Sequence, residues 1–194
     1  MAGHRQAVRE WAEYEPMRAL NAEAFDDPLE RVLHERKAAE GMWAMQKIHL
    51  RSGQFYYRFV DADTTPAPRW CEGAWWVDYE NYRRIVALAE RGEQSLGYAA
   101  RLLLALPYSF RPGHANAVNG VVRALLAQPL DALAGRGRRM EDQAARSKAM
   151  QWQPPADVMQ LYVPRLAPMP GTVGLAPVAF PIVACRRIES GFFA

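Results

Sequence analysis

The sequence has 194 residues, half of them hydrophobic and 11% aromatic, with a formal net charge of +3. This is enough apolar material for one domain with a sizeable core, which excludes wholesale disorder. No apolar run approaches the roughly 18 residues of a membrane span, and the N-terminus, MAGHRQAVREWAEYEP, carries no apolar signal core, so no membrane association is expected; the expected location is the cytoplasm, or outside the cell by an export route without a conventional signal peptide.

Residues 5–14 predict a short helix with Val8 and Trp11 on one face. Residues 15–27 read as irregular, or as a helical turn through Met17–Leu20. The next helix is clearly punctuated. Asp27 is a good N-cap, Pro28 suits the first helical position, and Gly41 closes the end. Leu29, Val32, Leu33 and Arg36 mark its i, i+3, i+4, i+7 stripe, which predicts a packing element. Residues 1–41 thus form an N-terminal helical extension, and 42–194 an α+β core domain.

Residues 44–50 and 54–61 read as two strands joined by a short turn, Arg51-Ser-Gly53. In the second, Phe55, Tyr57 and Phe59 share one face, and Tyr56, Arg58 and Val60 the other. Residues 61–69 form a loop. Residues 73–77 predict a Trp-rich strand, on which Trp75 and Trp76 face opposite ways. Asp78 then caps a helix over 79–91 with the stripe Tyr82, Ile85, Val86 and Leu88–Ala89, ended by Gly92. Ser95 starts a nearly all-apolar helix reaching about Leu106. Residues 111–119 are loop, and Val121–Leu126 fits a strand better than a helix. Residues 135–139 (GRGRR) predict a basic loop, 140–150 a polar helix, 158–163 a strand, 164–177 a long connector and 178–185 a last strand. The expected fold is α+β: N-terminal helices, then a mixed, mainly antiparallel two-sheet core with a cleft.

The surplus positive charge is local, because Arg136, Arg138, Arg139, Arg146 and Lys148 outweigh Glu141 and Asp142. A general nucleic-acid surface is not indicated, while a local one stays open. Cys71 and Cys185 form no framework and read as free thiols. The four His are scattered without ligand spacing, so no metal site is expected. Phosphate-loop, dinucleotide-fold, zinc-protease and nucleophile-elbow motifs are absent.

Attention falls on Gly53–Asp61 and Trp70–Tyr82, which together hold half of the six Trp and half of the eight Tyr. Arg58 sits mid-strand among aromatics. A guanidinium can grip a pyrophosphate in a bidentate way, and the rings around it can stack on a flat base. It can equally stack on Trp75 or Trp76 and pair with Asp61 or Asp63.

The aromatic-Arg strand Tyr57-Arg58, the strand Gly73-Ala-Trp75-Trp76, the helix with Tyr82 and the late start Asp157-Val-Met follow the order seen in ADP-ribosyltransferase-like domains, and the chain resembles the bacterial toxin members over about residues 54–163. The resemblance implies an NAD-binding cleft between two small sheets, with NAD as co-substrate and a macromolecular acceptor. It implies that Arg58 contacts the NAD phosphates or ribose, that Tyr57, Trp75, Trp76 and Tyr79 help build the nicotinamide pocket, and that Asp157 stands where the family places its catalytic Glu. No Ser-Thr-Ser triplet is present, only Thr64-Thr65, and Asp157 is one methylene short; Glu72 and Glu189 are alternative carboxylates. Two other functions remain open. One is a non-enzymatic interaction protein of immunity or adaptor type, using a Trp/Tyr surface. The other is an RNA-binding or RNA-modifying module using the basic run.

Overall fold

The computed structural model describes residues 20–106, 109–111, 114–115, 117–141, 151–168 and 174–188. The helix predicted over 5–14, most of that over 140–150 and the ESGFFA tail lie outside these residues.

Runs of aromatic and β-branched residues form the strands, and seven of them make one antiparallel sheet. Its order is β1 (Met42–Leu50), β7 (Leu130–Gly137), β10 (Met159–Tyr162), β3 (Trp75–Asp78), β2 (Phe55–Val60), β6 (Gly120–Leu125), β11 (Ile182–Arg187). Two short ribbons pair β4 (Ser109–Arg111) with β5 (His114–Ala115), and β8 (Met140–Glu141) with β9 (Gln151–Trp152). The helices are α1 over residues 20–26, α2 (Pro28–Ala39), α3 (Tyr79–Gly92), α4 (Leu96–Leu103) and the short α5 (Ala176–Ala179). No helix of the described residues is long and apolar enough to cross a membrane.

The α+β class is as expected. In place of two sheets there is one, whose two three-stranded blocks, β1–β7–β10 and β2–β6–β11, are joined through β3. This strand divides its pairing: Trp75 and Trp76 sit opposite Tyr162 and Leu161, whereas Val77 and Asp78 sit opposite Tyr57 and Tyr56. The expected hairpin of residues 44–61 does not form. Its two strands instead run beside β7 and β6 as one long ribbon. The ribbon bends at Gly53, whose φ of +75° suits a glycine, and Gly53 N–H donates to Leu126 O at 2.7 Å. The bend lets both blocks contribute to one core, which includes Leu50, Tyr56, Trp76, Val122, Ala132 and Leu161.

The opposite face carries the helices. On one block α3 and α4 cover Tyr57, Val77 and Val121. The α3 stripe is the predicted one: Tyr82, Ile85, Val86 and Ala89 are buried. Asp78 accepts from Asn81 N–H at 2.8 Å, and Glu93, at φ +50°, takes the left-handed capping position after Gly92. The helix α4 ends at Leu103, three residues early. On the other block, α1 and α2 bring Ala24, Phe25 and Ala38 onto Met42, Leu133 and Tyr162. Residues 135–137, predicted as loop, complete β7, where Gly137 and Arg136 sit opposite Met42 and Trp43. The last strand begins four residues later than predicted, after Pro181.

Candidate functional site

Divided pairing by β3 opens the sheet. Beyond the Tyr57–Val77 rung, Arg58 and Phe59 part from Trp76 and Trp75. The gap is a recess lined by Tyr57, Arg58, Phe59, Trp75, Trp76, Val77, Leu104, Leu106 and Gln160. Four of the five residues expected to bind NAD therefore meet there. The cavity itself measures about 20 Å³, space for about one water molecule. No carboxylate of the described residues lines it.

Each side chain already has packing to do. Arg58 donates from Nη1 to Trp70 O at 2.7 Å, and its guanidinium lies where a side chain on residue 73 would stand; a Cβ there would come within 1.9 Å of Nη2. Gly73 therefore serves Arg58. Burial lowers the Arg58 pKa, opposed by the fields of Cys71 and Glu72, yet a guanidinium stays charged. The alternative partners weighed for it are used elsewhere: Asp61 accepts from Asp63 and Thr64 N–H, and Asp63 pairs with Arg187 at 2.6 Å. Both cysteines are free. Burial pushes the Cys71 thiol up to about 12, against the pull of Arg58, so it stays protonated at neutral pH and is no nucleophile.

Tyr57 stacks on Tyr82 at 4.0 Å between centroids, with planes 1° apart. Trp76 stacks on Phe180 at 4.6 Å and donates to Gly73 O. Trp75, on the opposite face as expected, meets Tyr162 edge-on at 5.4 Å. Tyr79 lies outside the recess, beside Arg83 on the outer surface of α3. Asp157 is also outside it. Its side chain is exposed and pairs with Arg84 at 3.2 Å, pinning the turn before β10 to α3. Of the alternative carboxylates, Glu72 is held by Arg69 at 2.8 Å, and Glu189 lies outside the described residues.

The sequence reading missed a different feature. The apolar stripe of α2 faces solvent: Leu29 is 77% exposed, Val32 58% and Leu33 51%. Its inward positions are instead Glu30, His34 and Ala38. Glu30 pairs with Arg165 at 2.6 Å, and His34 Nδ1 is hydrogen-bonded to Tyr162 OH at 3.0 Å. His34 Nε2 lies 3.6 Å from Glu30 without a hydrogen bond. Arg165 reaches this position from a left-handed backbone, φ +65°, which costs about 1–3 kcal/mol away from glycine. The face carrying Glu30, His34 and Ala38 is thus latched to the sheet, and Leu29, Val32 and Leu33 are left uncovered by the described residues. Charges mark the C-terminal end: Arg36 and Lys37 are exposed, and Arg138 donates to Ala39 O at 3.0 Å. Nearby, Arg136 lies over the half-exposed Trp43 ring at 5.4 Å.

No protein-family model matches this sequence, and no characterised protein or solved structure matches it.

Arg58→Ala removes the partner of a part-buried carbonyl, so it should lower the unfolding free energy by about 1–3 kcal/mol; an unchanged urea midpoint would show that the guanidinium is not structural. His34 gives a pH test. Burial lowers its pKa from 6.5, Arg165 acts in the same direction and Glu30 opposes. The unfolded chain takes up the proton first as pH falls, so this contribution is complete above about pH 6.5 and is lost below it, down to the folded pKa. His34→Gln should therefore flatten the fall in stability between about pH 7 and pH 5, measured by denaturant midpoints; an equal fall in both proteins would refute the latch.

Proposed function

We propose that this chain is a non-catalytic interaction protein whose docking element is the outer face of α2. One observation carries this reading: three large aliphatic side chains stand contiguous in solvent on a helix that turns Glu30, His34 and Ala38 inward. Covering each such side chain is worth about 1.5–3 kcal/mol, and contiguous apolar surface marks contact sites. The aromatic surface anticipated for an interaction protein gives way to an aliphatic one. Trp43, Tyr79 and Tyr98 are exposed singly, on separate elements.

The NAD-cleaving reading draws less support from the geometry. The recess would have to widen several-fold to admit a nicotinamide ring, its one cation is committed to Trp70 O, and Asp157 lies on another surface. Among the described residues, an RNA-binding reading has one exposed indole, Trp43, beside Arg136 as its stacking platform.

The test is site-specific photo-crosslinking in the cells that make the protein, with the photoreactive residue at position 33 or, as control, at exposed position 186. An adduct with a protein, formed from position 33 and lost on Leu29→Asp, is expected. Leu29→Asp itself should change the unfolding free energy by less than about 0.5 kcal/mol, as for other exposed positions. Absence of any adduct at position 33, together with calorimetric NAD binding that Arg58→Met abolishes, would overturn the reading in favour of an NAD enzyme.

A further inference from the structure

We propose that Trp43 and Arg136, with the cations where α2 and β7 end, form a platform for single-stranded nucleic acid, on which a base stacks while phosphates meet the surrounding cations. This surface is separate from the aliphatic face of α2 and does not rest on the docking reading above.

The edge of the sheet builds the platform. β1 is the outermost strand, and its Met42 turns into the core with Ala38, so alternation sends Trp43 out on the opposite face. Trp43 and Arg136 are register partners, which places their side chains together on that face. The Arg136 guanidinium lies over the indole at 5.4 Å. The indole N–H donates to Gly137 O at 3.2 Å, which fixes the ring while 46% of the residue stays open to solvent. A bulge follows at once. The register shifts between Trp43 and Gln46, and Ala44 takes a left-handed backbone at φ +49°. A bulge re-aims a side chain and also blunts an edge against the addition of another strand. This edge thus presents a ring and is ill suited to an extended peptide.

Charge completes the surface. The last turn of α2 carries Arg36 and Lys37, and Arg138 and Arg139 follow β7, all of them exposed. Arg138 N–H donates to Gly41 O at 2.9 Å, two residues before Trp43, and its Nη1 donates to Ala39 O at 3.0 Å. These bonds bring the ends of α2 and β7 together beside the indole. A guanidinium has five N–H donors, so Arg138 keeps donors for a phosphate. Glu35 and Glu40 lie among these cations, and Asp157, in the turn before β10, is taken by Arg84 at 3.2 Å. Cations prevail, and a polyanion is drawn to such a field. An indole and a guanidinium both offer flat faces on which any base stacks, and a duplex, whose bases are already stacked, cannot use them. An acidic peptide would satisfy the cations but leave the ring without a flat partner.

The test is fluorescence anisotropy of labelled oligouridylate and oligothymidylate of about 10 nucleotides, titrated with the full chain. Dissociation constants of about 1–100 μM are expected near physiological salt, with a log–log salt slope of about −2, the value for about three phosphate contacts. Both probes supply the shared chemistry, a flat base and a phosphate, and the tighter of the two names the natural sugar. Trp43→Ala should weaken binding about tenfold, and Trp43→Phe, which keeps a ring, much less. Arg136→Gln should weaken it and reduce the slope by about 0.7. Arg136 is exposed, so this variant keeps the test valid should Trp43→Ala not fold. Leu33→Asp should leave binding unchanged, so this inference and the docking reading fail separately.

No binding of either probe up to about 100 μM, or binding that Trp43→Ala and Arg136→Gln leave unchanged, would overturn the inference. Displacement of the probe by polyglutamate as readily as by unlabelled oligonucleotide would overturn it in favour of an acidic protein. Tighter binding of a duplex of the same length would overturn it in favour of contacts to the phosphate backbone alone.

Discussion

Burial of His34, with the part-buried Glu30 beside it, decides which way α2 faces. An imidazole taken out of water and a carboxylate partly so need partners, and their absence would cost more than an exposed leucine does. Arg165 and Tyr162 supply those partners from the end of β10 and the residues after it. Tyr162 is itself fixed by Trp75, edge-on at 5.4 Å. Burial pushes its hydroxyl up to about 12, so it remains a neutral phenol and can serve a neutral His34. Once these contacts form, the helix has no freedom to turn its leucines inward. Ala38, fully buried against the sheet, then sets how closely the helix approaches.

The latch depends on the seam in the sheet. Four residues of β3 hold two blocks together, and the two tryptophans at its start act on different faces. Trp76 fills the core shared by the blocks, and Trp75 supports Tyr162 beneath α2. Arg58 is drawn into the same construction. It bridges the opening of the sheet to the loop at Trp70, and Gly73 leaves space for it. Residues that together suggest a ligand cradle in the sequence are thus explained by the demands of joining two blocks through one short strand.

Much of the fold was legible in the residues. Asp27, Pro28, Asp78 and Ser95 mark helix starts by local chemistry, and local chemistry is what sequence reports best. Alternation in Phe55–Val60 gave the right faces because the strand is covered on both sides. The pairing of β1 with β7, and not with β2, depends on residues 80 to 95 positions apart, and no local signal carries it. The error on α2 has the same origin. Leu29, Val32 and Leu33 are a sound amphipathic stripe, but the stripe alone does not say which side is solvent. The i, i+4, i+8 set Glu30, His34 and Ala38 was the other available signal. It acquires meaning only once Arg165 and Tyr162 are placed opposite. For the recess, the proximity of Tyr57, Arg58, Trp75 and Trp76 was legible, whereas Asp157, about 80 residues further on, was not separable from them without the fold.

The direction in which α2 faces is the claim on which the account rests, and solvent paramagnetic relaxation of methyl groups tests it most directly. A soluble nitroxide added to dilute, methyl-labelled protein should strongly broaden the methyl signals of Leu29, Val32 and Leu33. It should spare those of Leu133 and Leu161, which are buried in the sheet. Protection of the three α2 residues, with a His34 ring that titrates freely at its ordinary pKa, would mean that the helix packs by its leucines and that the account is wrong.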